Sequence, residues 1–144
     1  MSVKTEAGGG TTDYAVEIFD DAVDSGKYEC FLKPDTKLPM MFMPDAIRAT
    51  IELMEADENK LTIRSSYNVN GISFDPKELA SEIKKSIPDF EITYNPDFRQ
   101  AIAESWPQSI DDSVARKDWN WHHEYDLEKM TKIMLMEVKK NHDR

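Results

Sequence analysis

Apolar residues recur along this chain at two spacings, and the switches between them outline its elements. Ala15, Ile18, Phe19, Ala22 and Val23 keep the i, i+3, i+4, i+7, i+8 spacing of one helix face, and Gly26 stands where a C′ glycine ends a helix. Thr11, Thr12 and Asp13 precede that face, and all three are good N-cap residues. Residues 27–32 alternate as a short strand, which Lys33-Pro34-Asp35-Thr36 turns. Residues 38–43 are apolar on both faces, as in a strand covered from two sides. Pro44 and Asp45 open a second helix, with Ala46, Ile47, Thr50, Ile51 and Met54 as its core face and Ala49 and Leu53 widening it.

The same alternation continues. Residues 61–69 read as a strand with Tyr67 and Val69 on one face, and Asn70-Gly71 as a turn or bulge. Ile72 and Phe74 lead into Asp75-Pro76-Lys77-Glu78, a capping box with proline at the first helical position. Leu79, Ala80, Ile83 and Ile87 line this third helix, which Pro88 ends. A strand over 90–94 follows, and Asp97 then caps a helix whose apolar stripe is Phe98, Ala101, Ile102 and Trp106. Residues 109–121 are irregular, with one short helix around Val114. Asp126 caps the last helix, where Leu127, Met130, Thr131, Met134, Leu135 and Val138 keep register and Lys139 and Lys140 favour the C-terminus. The expected class is α/β, with short strands alternating with capped helices. Such few, scattered strands do not close a full sheet, so the chain reads as part of a larger fold.

Composition narrows the partners. At 144 residues with 40% apolar and 32% charged positions, the prior is one ordinary globular domain. A formal charge of −10, with no run of Lys or Arg beyond two, excludes nucleic acid and anionic membrane as main partners. Cys30 is the only cysteine, which excludes an internal disulfide or thiolate cluster, and its neighbours Tyr28, Phe31 and Leu32 mark a buried thiol. The densest apolar run, 38–43, is interrupted by Pro39 and far too short to span a bilayer. The N-terminal MSVKTEAGGG has no signal core.

Four groups of residues could carry chemistry. Gly8, Gly9 and Gly10 form a flexible loop that delivers Thr11, Thr12 and Asp13 to a helix N-terminus, where free N–H groups collect and a small polar ligand could bind; the alternative is a capped helix after a linker. His122-His123-Glu124 with Asp126 offers metal-type ligands, but side chains of neighbours diverge, and solvated residues before a helix fit better. Asp111-Asp112 suits helix capping better than a carboxylate pair facing across a cleft. Tyr125 and Lys129 match Y-x-x-x-K, yet Tyr125 precedes a cap and Lys129 faces solvent, so neither is read as catalytic. The methionines at 40, 41, 43 and 54 are assigned to core packing rather than to a soft metal. No dinucleotide fingerprint is present, since Asp13 occupies the third glycine position after Gly8 and Gly10.

One stretch is too unusual to be generic: SWPQSIDDSVARKDWNW over 105–121. Together with GGGTTDYAVEIF (8–19), LPMMFMPDAIRATIELMEA (38–56), SYNVNGISFDPKELA (66–80) and DFRQAIAESWP (97–107), it resembles the C-terminal part of the short-chain-type L-threonine 3-dehydrogenases, in the extended short-chain dehydrogenase/reductase, epimerase/dehydratase-like family. The likeness runs from Gly8 to Val138. It implies an NAD-binding Rossmann half followed by a smaller portion that closes over substrate. Such enzymes oxidise the 3-hydroxyl of L-threonine to 2-amino-3-oxobutanoate, with a tyrosine as general base, helped by a lysine and a serine or threonine, while NAD accepts hydride. Their Thr-Asp pair lies beside the substrate, which corresponds to Thr12 and Asp13 here. The chemistry agrees, since a carboxylate pairs with the substrate ammonium and a hydroxyl bonds its oxygens.

The departures define the expectation. The resemblance places the glycine-rich cofactor loop and the catalytic Tyr/Lys pair in a half that this sequence does not contain. Ala7 stands for an expected proline, and Asn120 for the usual glycine of D-W-G-W. The expected organisation is therefore a connector over 1–10 and a substrate-binding portion over 11–140, with the NAD-binding half absent. Such a chain binds no NAD and oxidises nothing alone. It would be an isolated domain, a truncated product or one half of a split enzyme. Its partners would be L-threonine and the missing half or a full-length subunit, the complete enzyme being a homo-oligomer of the cytoplasm or mitochondrial matrix. The competing readings are a non-catalytic interaction module, motivated by the apolar surface over 40–43, and part of a nucleotide-sugar epimerase/dehydratase.

Overall fold

The computed structural model describes Met1 and residues 8–142. Most of the expected connector, with Ala7, lies outside the described residues. The order is α1 (Tyr14–Asp24), β1 (Lys27–Cys30), β2 (Leu38–Met40), α2 (Met43–Glu55), β3 (Ile72–Phe74), α3 (Pro76–Ser86), β4 (Glu91–Tyr94), α4 (Phe98–Glu104), α5 (Ser113–Trp119) and α6 (Leu127–His142). This is the mixed α/β class that the alternation of periods implies. The four strands form two separate pairs. β1 runs parallel to β4 with Lys27 opposite Glu91 and Cys30 opposite Tyr94, and β2 runs antiparallel to β3 with Leu38 opposite Phe74.

The main core forms where helix stripes meet. α6 packs against α1 and α3, and α1 also covers β1. Ile18 and Phe19 of α1, Leu79 and Ile83 of α3, and Met130 and Met134 of α6 are almost wholly removed from water. Each helix buries the face that its spacing marks. The end of α1 and the starts of α3, α4 and α6 behave as the sequence predicts. Gly26 holds φ +70° after α1, a conformation that an L side chain adopts only with strain. Asp75 and Glu78 close a reciprocal capping box on α3, Asp97 accepts the Arg99 N–H, and Asp126 accepts the Lys129 N–H at 2.8 Å. Cys30 is buried, and burial pushes its thiol up to about 11, so it is a packing residue.

A smaller apolar cluster joins Ala49 of α2, Ala115 of α5 and Trp121, flanked by Met41, Tyr67, Val69 and Trp119. Gly71 allows β3 to start close against β2: a Cβ there would lie 2.7 Å from the Met40 carbonyl oxygen.

Three expectations fail here. Residues 61–69 form no strand. Their alternation finds no partner strand, and the Asp118 carboxylate organises the loop instead, accepting the Thr62 N–H and Oγ1–H and the Tyr67 O–H at 2.6–2.8 Å. The face of α2 read as core points outward, with Met43, Ile47, Ile51 and Met54 exposed, while Asp45 and Ala49 are its buried residues. α4 is likewise turned: Phe98, Ile102 and Trp106 are exposed, and Gln100 and Ala103 are buried. In both helices the periodicity identifies the apolar face correctly, but nothing among the described residues covers it.

Candidate functional site

The glycine turn before α1 is short and heavily bonded. Thr11 is buried, while Thr12 and Asp13 are half-buried. The Asp13 N–H donates to the Gly10 carbonyl, the Ala15 N–H to that of Thr12, and the Val16 and Glu17 N–H groups to that of Asp13. The Asp13 carboxylate does not cap the helix. It turns back, and its Oδ2 accepts the Gly10 N–H at 2.7 Å. A Cβ at position 10 would lie at ordinary contact distance, 3.6 Å, from both carboxylate oxygens, so the carboxylate sits directly against the turn.

This geometry corrects the expectation of an N-cap with free amides. The amides that would greet an anion already bond to carbonyls, and a carboxylate stands among them. A diphosphate would meet that negative charge at close range. The residues of this turn therefore do not fit the phosphates of a dinucleotide. The Asp13 carboxylate suits a cation instead.

The other candidates resolve into structural roles. His122 is exposed and its Nδ1 bonds the Asn120 carbonyl, while Asp126 caps α6; no cluster of three metal-type ligands occurs among the described residues. Asp111 accepts the Ser113 N–H at the start of α5. Asp112 instead pairs with Arg116 at 2.7 Å and accepts the Asn70 N–H, so it ties α5 to the loop before β3. Tyr125 packs edge-on against Phe42 with ring centroids 5.0 Å apart, and the Lys129 ammonium lies 4.4 Å from the Tyr125 ring centroid. Tyr125 and Lys129 thus meet through the ring face, as packing partners.

Sequence reasoning missed three polar hubs. Buried Asp45 accepts the Glu124 and Tyr125 N–H groups at 3.0–3.2 Å and pairs with Arg48. Arg48 also bonds Glu52 and the His122 carbonyl, and lies 4.7 Å from the Trp121 ring centroid. Asp118 holds the 61–67 loop, and hydrogen bonds from Tyr67 and then Thr62 keep its carboxyl below the usual range. Gln100 accepts the Lys33 N–H and exchanges bonds with Thr36. It borders a polar recess of about 250 Å³ whose lysines are already paired, Lys33 with Glu104 and, at 3.2 Å, Lys37 with Glu78. The nearest signal for the first hub was Asp45-x-x-Arg48, one helical turn apart. The others join residues too distant in sequence to show.

Asn120 closes α5 in the left-handed conformation, φ 61°. Glycine is the residue that reaches this region without strain, which is the physical reason for a glycine in that signature.

No protein-family model matches the chain. The comparisons with single proteins are specific. The chain is 57% identical over 136 residues to the mitochondrial L-threonine 3-dehydrogenase of Sus scrofa, covering 94% of this chain and 36% of that protein. Its structure superposes on a GalE-like L-threonine dehydrogenase from Cupriavidus necator with a TM-score of 0.91 at 59% identity, covering 94% of this chain and 49% of that one. The chain matches the C-terminal part of L-threonine 3-dehydrogenases. A monomeric L-threonine 3-dehydrogenase from a metagenome gives the same result, with a TM-score of 0.92, 52% identity, and coverage of 97% and 45%. The fold is thus that of the C-terminal part of GalE-like L-threonine dehydrogenases, and the chain spans between a third and a half of the length of these relatives. No helix among the described residues is long and apolar enough to cross a membrane.

Proposed function

We propose that this chain is the substrate-side portion of an NAD-dependent L-threonine 3-dehydrogenase, and that it holds the ammonium of L-threonine through Asp13 with Thr12 bonding a substrate oxygen. The observation that carries the reading is the turned-back Asp13 carboxylate, held against the glycine turn at 2.7 Å and only half-buried. A fixed carboxylate matches the ammonium of an α-amino acid and repels a phosphate. NAD, when bound, supplies the hydride acceptor; in this reading its site and the proton-abstracting tyrosine lie in the preceding half of the enzyme. This chain then positions the substrate and does not itself transfer hydride. The reading calls for no second copy, since one close relative is monomeric. Of the two compartments expected, cytoplasm and mitochondrion, the name of the Sus scrofa relative supports the mitochondrial one.

The test joins residues 8–142 to the N-terminal portion of the Cupriavidus necator enzyme. Asp13→Asn in that chimera should raise KM for L-threonine roughly tenfold or more, the worth of one charge-assisted hydrogen bond, while KM for NAD stays within about twofold. Equal effects on both constants would refute the assignment of Asp13.

A further inference from the structure

α2 is amphipathic in the reverse sense for the molecule it belongs to. Its inward side carries Asp45, Arg48 and Glu52 with the small Ala49, and its polar groups are used up in the Asp45–Arg48 hub. Met43, Ile47, Ile51 and Met54 face away at i, i+4, i+8 and i+11, and are 43%, 54%, 47% and 81% exposed. Thr50 lies on the same face, and its hydroxyl donates to the Ala46 carbonyl at 3.0 Å, so the methyl group is left to face outward. The result is a stripe about 16 Å long without a charged residue. Isolated exposed apolar residues are ordinary, but an aligned row of four is the pattern of a covered helix face.

We infer that this face of α2 is the docking surface for the N-terminal, dinucleotide-binding portion of the enzyme, which covers Met43, Ile47, Ile51 and Met54 with an apolar face of its own. The inference rests on the functional reading above. Three observations select the occupant. The matched region makes up less than half of each of these relatives, so each has more chain outside it than within it. The matched region keeps its shape in them, with TM-scores of 0.91 and 0.92, so the additional portion leaves this fold, α2 included, unaltered. On the polar side of α2, Asp45 and the terminal nitrogens of Arg48 are bonded within the chain, which leaves the apolar side as the one available for burial. α4 offers only Phe98 and Ile102 over its seven residues, with Trp106 just beyond its end, a smaller surface.

The double variant Ile47→Glu, Ile51→Lys tests this in two settings. The pair sits at i, i+4 with the acid first, which favours the helix itself. In the chain alone, Tm should stay the same or rise slightly, with helicity unchanged by circular dichroism. In the chimera carrying the Cupriavidus necator N-terminal portion, Tm should fall by about 10 °C, because two charges enter an apolar contact. Equal responses in both settings would overturn the proposal. A wild-type chimera that fails to fold would also overturn it. So would a wild-type chain that sediments as a dimer and becomes monomeric in the double variant, since the occupant would then be a second copy. If the chimera responds as expected but oxidises no threonine, the docking surface stands and the functional reading falls.

Discussion

α1, α3 and α6 differ from α2 in one respect: where the partner of the apolar face resides. The first three meet one another, so Ile18, Phe19, Leu79, Ile83, Met130 and Met134 lose nearly all contact with water. α2 has an equally regular stripe, yet Ile47, Ile51 and Met54 stay exposed, and the helix is fastened by Asp45 and Arg48 instead. Periodicity therefore reports that a face is to be covered, not that the same chain covers it. Polar residues on the opposite side reveal which case applies, because they must find partners when they are the ones buried.

The sharpest way to break this comparison is to truncate one residue on each side of it. Phe19→Ala should destabilise the chain by about 3–5 kcal/mol, as a cavity forms among α1 and its neighbours. Ile47→Ala should change stability by less than about 0.5 kcal/mol. Urea unfolding followed by circular dichroism measures both, and similar costs would remove the distinction.

Next in size is the polar fastening itself. Asp45→Ala strips the acceptor from the Glu124 and Tyr125 amides and leaves Arg48 with one fewer anion. A loss of about 2–3 kcal/mol is expected in the same unfolding assay. A neutral result would mean that α2 is held by Ala49 and Trp121 packing alone.

The smallest effect sharpens the picture at the loop before β3. Tyr67 and Thr62 hold the Asp118 carboxyl below its usual value near 3.8. Its contribution to stability is complete above the unfolded-state value and disappears as pH falls through the lower folded-state value. Acid unfolding should therefore be less steep below about pH 4 in Asp118→Asn than in the wild type. Parallel acid profiles would show that Asp118 contributes no pH-dependent stability.

Much of this was legible in the sequence, and the rest was not for definite reasons. The capping residues Asp75, Asp97 and Asp126 acted locally, so short-range rules located their helices. Asp13 obeyed the same composition rule but turned toward Gly10, because the glycine turn offered its carboxylate a closer donor than the helix did. Residues 61–69 alternated like a strand, yet a strand needs a neighbour, and the carboxylate of Asp118 reached them first. The pairing of Asp45 with the amides of Glu124 and Tyr125 spans about 80 positions, beyond any local pattern. Local pattern had already marked Thr12 and Asp13; the family resemblance added a role for them beside the substrate, which the chimera tests. The comparisons bear out the match to the C-terminal part of the dehydrogenases.

The most direct measurement is NADH formation by purified chimera, residues 8–142 joined to the N-terminal portion of the Cupriavidus necator enzyme, supplied with NAD and L-threonine. The account predicts absorbance at NADH wavelengths that rises only when L-threonine is present and is strongly reduced by Asp13→Asn at low threonine. A folded chimera that binds NAD but leaves L-threonine unoxidised would contradict it.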